Sequence, residues 1–370
     1  MSKIAFHLNC LTHGGAERVV TNLANQFAAE GYEVVVATEW TDPDEFVLDP
    51  QVKRVHVGLK PEDEGKSRVT KFFLRIRYLH TFLLEEKPDV IAAFAKRALY
   101  RALMACRHTG VPVVISVRID PVKYYSSITD KLQTALFFGR AAGAVFQTED
   151  AKAFFAPRLQ DNSRVILNPI NDKYVGLPVV TSRRKEVVNV ARIVDFKNQP
   201  MLVEAFAQVH ARHPDYILKI YGPDSEDGTL QQIQEKISAL HLQDCVRLMG
   251  GSDSLEKEIP EAAVFAYSSS YEGMPNSLME AMAMGLPVVS TDCPCGGPRM
   301  IIRDHENGLL VPVRDPKALA EGICYLIEHP EEAERMGAEA RKLSEIAGTK
   351  AIYEQWREYL GEVIAHGKKC

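Results

Sequence analysis

The sequence predicts an α/β protein of two domains, each built on a parallel sheet with helices on both faces. Short apolar, β-branched runs alternate with longer amphipathic segments along the 370 residues, which is typical of such sheets. The alternation is interrupted after Asn168-Pro169 by a polar stretch that ends in Arg183-Arg184-Lys185, and it then restarts. A chain of this length is long for one compact domain and comfortable for two.

Strand candidates continue in the second half with the same alternation as in the first. They are 4–8, 33–37, 52–57, 90–93, 113–117, 143–146 and 165–167, followed by 187–191, 217–221, 246–248, 262–266, 288–289 and 309–310. Helical spacing marks 17–29, 99–107, 200–212, 230–240, 277–284, 317–328, 331–345 and 350–366. We therefore expect an N-terminal domain over 1–170, a C-terminal domain over 171–349, and a final helix within 350–370 that crosses back to the first domain.

The composition excludes several classes of protein. The chain is 46% hydrophobic and 25% charged with a net charge of -5, so no overall basic field indicates nucleic acid. Residues 1–168 carry 22 basic and 19 acidic side chains, whereas residues 169–370 carry 22 and 30. The N-terminal half is therefore the half that we expect to approach an anionic surface.

The cysteines and the N-terminus predict a cytoplasmic location. Seven cysteines form no CxxC pair, which favours reduced thiols over disulfides or a zinc site. The sequence begins without the pattern of a signal peptide and has no apolar run long enough to span a bilayer. Any membrane contact is expected to be peripheral, at the inner face of the cytoplasmic membrane.

The first candidate site is the segment Glu272-Gly-Met-Pro-Asn-Ser-Leu-Met-Glu280, which follows an apolar strand and opens a helix. Free backbone N–H groups at a helix start favour a phosphate. Glu272 precedes the turn and Glu280 lies inside the helix, so the two carboxylates could accept hydrogen bonds from hydroxyls on either side of that phosphate. A plain helix cap followed by a buried helix is the alternative.

The second candidate site is the strand-to-helix loop that contains Arg192 and Lys197. A guanidinium can hold two phosphate oxygens and an ammonium acts as a compact point charge, so the pair suits a diphosphate. Such charges stabilise a departing phosphate without a metal. Two solvated surface charges are the alternative.

A third loop, with Gly14 and Gly15 directly before a helix, permits close backbone approach but is not the GxGxxG of dinucleotide-binding folds.

Together these motifs resemble the family 4 retaining glycosyltransferases of the GT-B fold. The resemblance covers nearly the whole chain and includes the Tyr221-Gly222-Pro223 loop, the Glu-x7-Glu element and the Gly-rich segment 293–298. It implies two facing Rossmann-like domains with a cleft between them. It also implies retaining transfer of a hexose or N-acetylhexosamine from a nucleotide-diphosphate sugar, expected to be UDP-linked. The expected acceptor is a glycan or a lipid-linked glycan in surface-polysaccharide or glycoconjugate biosynthesis.

The resemblance also implies a role for each matching residue. Arg192 and Lys197 would bind the donor diphosphate, Glu272 would face the donor sugar, and Glu280 would hold the ribose hydroxyls. The other implied binding positions are Gly14 and Gly15 beside the pyrophosphate, Asn276, Ser277 and Leu278 in the phosphate nest, and Gly222, Met249 and Gly250 in the nucleoside pocket. No metal and no other cofactor is implied.

One residue departs from the family pattern. Many relatives carry a His after the strand that corresponds to 113–117, and this chain has Arg118 there. Because an arginine cannot act as a base at ordinary pH, Arg118 is expected to hydrogen-bond a sugar hydroxyl or an acceptor phosphate. We place it in the catalytic set with Glu272, Arg192 and Lys197, and we assign no general base.

The segment Lys66–Arg77 predicts a basic amphipathic helix. Arg68, Lys71 and Arg75 share one face, and this face either rests on anionic lipid or is simply solvated. The opposite face carries an apolar stripe that is expected to pack on the sheet. Its members are Val69, Phe72, Phe73, Ile76 and Leu79.

Other functions remain open at this point. A GT-B nucleotide-sugar 2-epimerase would share the diphosphate-binding residues and need no acceptor. A noncatalytic binding subunit could keep the fold, although the presence of Arg192, Lys197, Glu272 and Glu280 together argues against it. The missing glycine pattern disfavours a nicotinamide-dependent oxidoreductase.

Overall fold

The computed structural model describes residues 2–12, 14–180 and 182–366. The chain divides into two compact units. Unit 1 comprises residues 1–168 and 350–370, and unit 2 comprises residues 169–349. The sequence places the corresponding boundaries after 170 and after 349.

Unit 1, in its described residues, contains a seven-stranded parallel sheet in the order β3-β2-β1-β4-β5-β6-β7. Its strands are β1 (Lys3–Leu8), β2 (Glu33–Thr38), β3 (Lys53–His56), β4 (Val90–Phe94), β5 (Val113–Val117), β6 (Gly143–Phe146) and β7 (Ser163–Val165).

The described part of unit 2 contains a six-stranded parallel sheet in the order β10-β9-β8-β11-β12-β13. Its strands are β8 (Arg184–Val190), β9 (Ile217–Tyr221), β10 (Val246–Gly250), β11 (Ala262–Tyr267), β12 (Val288–Thr291) and β13 (Leu309–Val311). The predicted α/β class with parallel sheets is confirmed.

Helices connect the strands in both units. Those before the domain boundary are α1 (Gly15–Ala29), α2 (Arg68–Glu86), α3 (Lys96–Ala105), α4 (Pro121–Tyr124), α5 (Ile128–Phe137), α6 (Glu149–Ala153) and α7 (Pro157–Asp161). Those after it are α8 (Gln199–Arg212), α9 (Thr229–Ala239), α10 (Leu255–Glu258), α11 (Asn276–Ala283), α12 (Gly297–Ile301), α13 (Pro316–Glu328), α14 (Pro330–Arg341), α15 (Leu343–Ala347) and α16 (Thr349–His366). None of the described helices is both long and apolar enough to cross a membrane.

Each sheet reverses its strand order once. In unit 1 the chain runs outward from β1 to β2 and β3 and returns to β4 on the other side of β1; in unit 2 the same reversal separates β8 from β11. Open parallel sheets bind ligands outside the carboxyl ends of the strands at such a reversal. The loops after β1 and β4, and those after β8 and β11, are therefore the places where a site is expected.

Several predicted elements differ from the structure by up to three residues at their ends, and two differ in position or continuity. The strand predicted at 165–167 is β7, Ser163–Val165, because Ile166 and Leu167 contribute their apolar side chains to the core just after the pairing with β6 ends. The helix predicted at 331–345 is divided into α14 and α15. Its hydrogen bonding tightens at Lys342, whose N–H donates to the Glu339 carbonyl three residues before it.

The final helix α16 completes the core of unit 1. The Trp356 ring stacks on Phe94 of β4 with centroids 5.5 Å apart, and Tyr353 meets Phe27 of α1 edge-on at 4.8 Å. The Tyr359 hydroxyl donates to the Asn162 carbonyl at 2.7 Å. Because these aromatic side chains are buried, the last helix is part of the first unit's hydrophobic core rather than an appendage.

The basic helix predicted at Lys66–Arg77 is the first part of α2, but its apolar stripe does not pack as expected. Val69, Phe72 and Phe73 are exposed, and Leu79 is buried. The reason is that α2 packs on the sheet through its second half, where its buried residues Leu79, Phe82 and Leu83 lie.

Several cations of the segment Lys66–Arg77 are bonded within unit 1. The Lys66 ammonium lies 2.6 Å from Asp63 Oδ1, and Arg75 Nε donates to Glu39 Oε2 at 3.1 Å. The Lys71 ammonium donates to the Glu64 carbonyl. A uniform basic face made by Arg68, Lys71 and Arg75 is therefore not what α2 presents.

Trp356→Ala should destabilise unit 1 by about 3–5 kcal/mol, because it leaves a large cavity beneath Phe94. Chemical unfolding followed by circular dichroism measures this change. Trp40→Ala is the matched control: Trp40 is half-exposed, so its loss should change the free energy of unfolding by only about 0.5 kcal/mol. Equal effects of the two substitutions would contradict the assignment of α16 to the core.

The fully buried His7 predicts a pH-dependent stability. Its Nδ1 lies 2.9 Å from the Ala37 carbonyl, and its buried Nε2 has no hydrogen-bond partner among the described residues. Burial, helped by the positive charge of Arg101, lowers the pKa of His7 from 6.5 to about 4. Between these two pH values the unfolded chain binds a proton that the folded chain does not, so acidification should reduce stability.

The contribution of His7 is measurable as a slope of the free energy of unfolding against pH. As pH falls from about 6.5 to about 4, the free energy of unfolding should decrease by up to about 1.4 kcal/mol per pH unit from this residue alone. The His7→Gln variant should lack that part of the slope. Identical slopes for wild type and variant in urea titrations at several pH values would show that His7 does not titrate in this way.

Candidate active site

Two loops that follow neighbouring strands meet at the strand reversal of unit 2. After β8, the chain forms a short 3-10 turn, Asp195–Lys197; after β11, it passes through three serines to Glu272. The Lys197 ammonium lies 2.5 Å from Glu272 Oε1. Lys197 and Glu272, which the sequence places in two separate candidate sites, therefore both lie at the carboxyl edge of the sheet, where parallel sheets bind ligands.

One carboxylate oxygen of Glu272 receives three hydrogen bonds. Besides the Lys197 ammonium, the Tyr267 hydroxyl and the Ser269 hydroxyl each donate to Oε1 over 2.8 Å. The Tyr267 hydroxyl also accepts from the Lys197 ammonium at 2.6 Å. The second oxygen, Oε2, receives no hydrogen bond from the described residues, so it is free to accept one from a ligand hydroxyl.

Backbone contacts hold the two loops together. The Ser268 hydroxyl donates to the Lys197 carbonyl at 2.8 Å, and the Ser270 N–H donates to the Phe196 carbonyl at 2.7 Å. The Phe196 ring stacks on Tyr271 with centroids 4.9 Å apart. These contacts fix the position of Lys197 relative to Glu272, so the pair is preorganised.

The pair is largely buried. The Lys197 and Glu272 side chains are 13% and 10% exposed, which weakens solvation of both charges. Burial and the Glu272 carboxylate raise the pKa of Tyr267 well above its ordinary value, so the hydroxyl stays a hydrogen-bond donor. The same two causes raise the pKa of the buried Cys293 thiol, which excludes a thiolate at neutral pH.

Arg192 lies in the loop directly after β8 and is exposed. It forms no ion pair with the described residues. The fully buried Gln199 side chain donates to the Arg192 carbonyl at 2.9 Å and so holds the backbone of this loop, while the guanidinium is left to solvent. The backbone of the loop after β8 is therefore fixed, while the Arg192 guanidinium can contact a ligand from solvent.

The loops after β8, β9 and β10 lie side by side. Gly222 has φ +149°, and a Cβ on it would lie 1.9 Å from the Ala191 carbonyl oxygen, so only glycine fits. Its N–H donates to the Gly250 carbonyl at 2.7 Å. Gly250 and the exposed Met249 end β10. The three residues predicted to line a nucleoside pocket are therefore neighbours at one edge of the sheet.

Helix α11 begins at Asn276 without a side-chain cap, and Pro275 occupies the N-cap position. The first-turn N–H groups of Asn276, Ser277 and Leu278 are the donors that such a helix start offers to an anion. The Leu278 side chain is fully buried and anchors this turn. Glu280 is buried one turn further on, so its carboxylate is shielded from bulk solvent.

The Gly-rich segment supports the turn that carries Glu272. The Glu272 N–H donates to the Pro294 carbonyl at 2.6 Å, and the Cys295 N–H donates back to the Glu272 carbonyl at 2.8 Å. A Cβ on Gly297 would lie 2.1 Å from the Gly273 carbonyl oxygen. The glycine is therefore required for close packing of α12 against the turn.

The predicted residues of unit 1 have different surroundings. Gly14 is the N-cap of α1, Gly15 is its first residue, and the Glu17 carboxylate lies over Gly14. Burial raises the pKa of Glu17. His13, the other loop residue considered from the sequence, lies outside the described residues.

Arg118 follows β5 and is already engaged within unit 1. Its guanidinium donates to Asn168 Oδ1 and, at 3.3 Å, to the Ser116 hydroxyl, and it lies over the Phe94 ring. Burial lowers the pKa of Arg118 to about 9, which leaves it protonated at neutral pH. It is thus a half-buried cation at the carboxyl edge of the first sheet, and it cannot serve as a base there.

One group in unit 2 brings metal-binding atoms together. His213, Cys324 and Glu328 place one ligand atom each within 4.8 Å of one another. The Arg212 guanidinium lies 2.5 Å from Glu328 Oε1, however, so an ion pair accounts for the position of the Glu328 carboxylate without a metal. These residues lie at the C-terminal ends of α8 and α13, and therefore at the sheet edge opposite to Lys197 and Glu272.

Comparison with known proteins identifies the family. The model of the family "Glycosyltransferase Family 4" matches residues 13–174, and that of "Glycosyl transferases group 1" matches residues 171–343. The chain belongs to the family 4 glycosyltransferases. It is 23% identical to an uncharacterized glycosyltransferase of Haemophilus influenzae, over 97% of this chain and 100% of that protein.

Further relatives extend over nearly the whole chain. A Campylobacter jejuni protein described as a GalNAc-alpha-(1->4)-GalNAc-alpha-(1->3)-diNAcBac-PP-undecaprenol alpha-1,4-N-acetyl-D-galactosaminyltransferase is 24% identical, over 98% of this chain and 99% of that protein. The crystal structure of Anabaena HepE in complex with UDP matches with a TM-score of 0.82 at 18% identity, over 98% of this chain and 100% of that one. At this identity the likeness establishes the fold, which is GT-B.

Sequence reasoning missed the residues that support the pair. Tyr267 is the last residue of a strand predicted to end at 266, and Ser269 belongs to the run of three serines that follows this strand. Gln199 precedes the predicted helix and gives no signal of its own. A polar side chain directly after an apolar strand, next to a candidate carboxylate, is the pattern that could have identified Tyr267 and Ser269.

Gly297→Ala should displace the turn that carries Glu272 and lower stability by about 1–3 kcal/mol, because its Cβ cannot coexist with the Gly273 carbonyl. Gly251→Ala is the control, since its Cβ would meet only Pro223 Cδ at 3.9 Å. Thermal unfolding measures both variants. If Gly297→Ala is as stable as Gly251→Ala, the proposed packing is wrong.

Proposed function

We propose that this glycosyltransferase moves a hexose or N-acetylhexosamine, with retention, from a UDP-linked donor held by unit 2 to a glycan or lipid-linked acceptor carried by unit 1. The observation that supports this proposal best is the buried Lys197–Glu272 pair at the strand reversal of unit 2. A cation and an acceptor of hydrogen bonds are fixed side by side there. A sugar diphosphate needs both.

The donor diphosphate would meet three sources of positive potential. The exposed Arg192 guanidinium would bind it from the solvent side, the buried Lys197 ammonium would bind it from the protein side, and the uncapped first turn of α11 would donate N–H groups. These groups would stabilise the charge that grows on the departing phosphate, which is electrostatic catalysis. On this basis we propose that the reaction needs no metal and no other cofactor.

The two glutamates would orient the donor. Glu272 Oε2 would accept a hydrogen bond from a sugar hydroxyl, because Oε1 is already occupied by Lys197, Tyr267 and Ser269. Glu280, one turn into α11, would accept from the ribose hydroxyls. Gly222, Met249 and Gly250 would border the nucleoside. Gly14 and Gly15 would lie beside the pyrophosphate.

The transfer would exchange one bond at the anomeric carbon. The acceptor oxygen forms a bond to that carbon on the same face from which the bond to the phosphate oxygen breaks. The acceptor proton moves to the departing phosphate oxygen, and the nucleoside diphosphate leaves. No protein base is required, which suits a site where Arg118 occupies the expected histidine position. Arg118 would hold an acceptor hydroxyl or phosphate.

The relatives support the choice of substrate class. The Campylobacter jejuni relative is named for transfer to a saccharide linked by diphosphate to undecaprenol, and another relative, from Rhizobium meliloti, is named a lipopolysaccharide core biosynthesis glycosyltransferase. The HepE crystal structure contains UDP. We therefore favour a UDP-sugar donor and a lipid-linked or polysaccharide acceptor, with the enzyme on the cytoplasmic side of the membrane and in peripheral contact with its inner face.

A panel of nucleotide sugars tests the proposal directly. The correct donor should raise the melting temperature by mass action and, when incubated alone, should be inert or slowly hydrolysed. Interconversion of two nucleotide sugars without an acceptor would instead indicate an epimerase. If no nucleotide sugar raises the melting temperature, the chain is a noncatalytic subunit of the same fold.

Lys197→Ala should reduce turnover per folded enzyme by about 100- to 1000-fold, because it removes a charge that stabilises the departing phosphate. Lys219→Ala is a matched control. Lys219 and Glu186 form a second buried pair 2.6 Å apart, and their side chains are 13% and 11% exposed.

Both substitutions remove the nearest cation of a buried carboxylate, so both should lower the melting temperature, although Glu186 keeps the Arg184 guanidinium at 3.6 Å. Turnover should fall for Lys197→Ala alone. A loss of turnover common to both variants would mean that Lys197 acts only through stability.

A further inference from the structure

Exposed apolar side chains concentrate on two stretches of unit 1. One is the first two turns of α2, with Val69, Phe72 and Phe73. The other is α4 and α5, where the exposed large apolar residues are Val122, Tyr124, Ile128, Leu132 and Leu136. Contiguous exposed apolar residues mark interaction surfaces, whereas scattered ones need no explanation.

The α5 helix presents a complete apolar stripe to solvent. Ile128, Leu132 and Leu136 recur every four residues and are 86%, 60% and 54% exposed. The opposite side of the helix packs on α3: Asp130 pairs with Lys96, and the Thr134 hydroxyl bonds to that of Tyr100. The stripe therefore points away from unit 1, and no residue of α5 is buried.

The two stretches lie in one layer. Helices α2, α3 and α5 connect strands that advance in the same direction across the sheet, so right-handed crossovers place all three on the same face. Helix α3 contacts both of the others. Helices that follow strands begin at the carboxyl edge, so Val69, Phe72, Phe73 and Ile128 lie toward the edge that carries Arg118.

The exposed charges within 68–77 and 121–140 are positive: Arg68, Arg77, Lys123, Lys131 and Arg140. The segment just before α2 also carries two exposed acids, Glu62 and Glu64. Residues 68–77 contain no Asp or Glu, and the single acid of 121–140, Asp130, pairs with Lys96 at 2.6 Å. A second copy of this chain would face like charge across a two-fold axis, which disfavours self-association through this surface.

We propose that unit 1 docks on an anionic lipid bilayer through this apolar and basic surface, made by the first two turns of α2 and by α4 and α5. Ile128, Leu132, Leu136, Phe72 and Phe73 would enter the boundary between headgroups and acyl chains. The flanking cations would contact lipid phosphates. This surface differs from the basic face of α2 predicted from the sequence, because Lys71 and Arg75 of that face are bonded within unit 1.

Sedimentation with vesicles tests the docking surface, without donor or acceptor. Wild-type protein should partition onto vesicles that contain phosphatidylglycerol and much less onto pure phosphatidylcholine. Raising the salt concentration from about 0.1 M to about 0.5 M should weaken the binding. The triple variant Ile128→Gln, Leu132→Gln, Leu136→Gln keeps every charge and should bind about tenfold more weakly.

The control substitutes Val47→Gln and Val179→Gln, which are equally exposed but lie away from the surface. It should bind like wild type, and circular dichroism should show all variants folded. The proposal fails if wild type ignores anionic vesicles or if triple variant and control bind alike. A triple variant that changes only the oligomeric state would assign the surface to a second copy. Donor hydrolysis in solution is measured separately, so loss of the proposed enzymatic function would be distinguishable.

Discussion

The ion pair between Lys197 and Glu272 is the constraint on which the site in unit 2 depends. Two opposite charges buried together lose hydration that their mutual attraction alone does not restore, so further hydrogen bonds must satisfy them. Tyr267 and Ser269 supply those bonds on one carboxylate oxygen, and the serine run ties the two loops together through backbone contacts. The close packing of Gly297 against the Gly273 carbonyl fixes the turn that carries the Glu272 carboxylate. The result is a cation whose position is fixed before any ligand arrives.

The strand reversal explains why so much could be predicted from the sequence. Lys197 and Glu272 are 75 residues apart, yet each follows a strand, and the two strands are neighbours at the reversal between β8 and β11. Strand periodicity and loop chemistry therefore identify both. Tyr267, Ser269 and Gln199 could not be found in this way, because their roles depend on the three-dimensional approach of loops rather than on a local pattern. The exposure of Phe72 and Phe73 was mispredicted for a related reason: helical spacing shows which residues share a face, but not where along the helix the sheet ends.

Charged and apolar side chains are distributed differently in the two units. In unit 2 the charged groups converge on one edge of the sheet, and packing against backbone sets their geometry. In unit 1 the half-buried Arg118 lies at the corresponding edge, while the apolar and basic side chains are spread over the helix layer that begins there. A fixed cluster of charged groups suits recognition of a small polar ligand, whereas a broad apolar surface suits a partner without fixed shape.

The return of α16 to the first unit has a consequence for biosynthesis. Proteins emerge from the ribosome from the N-terminus, and domains usually fold in that order. Here the core around Phe27 and Phe94 lacks Tyr353 and Trp356 until nearly the whole chain has been made, whereas residues 169–349 are complete earlier. We expect the second unit to be the first to reach its native state during translation. The nascent first unit would meanwhile expose apolar surface to the cell, and it would be the part of the chain that chaperones bind.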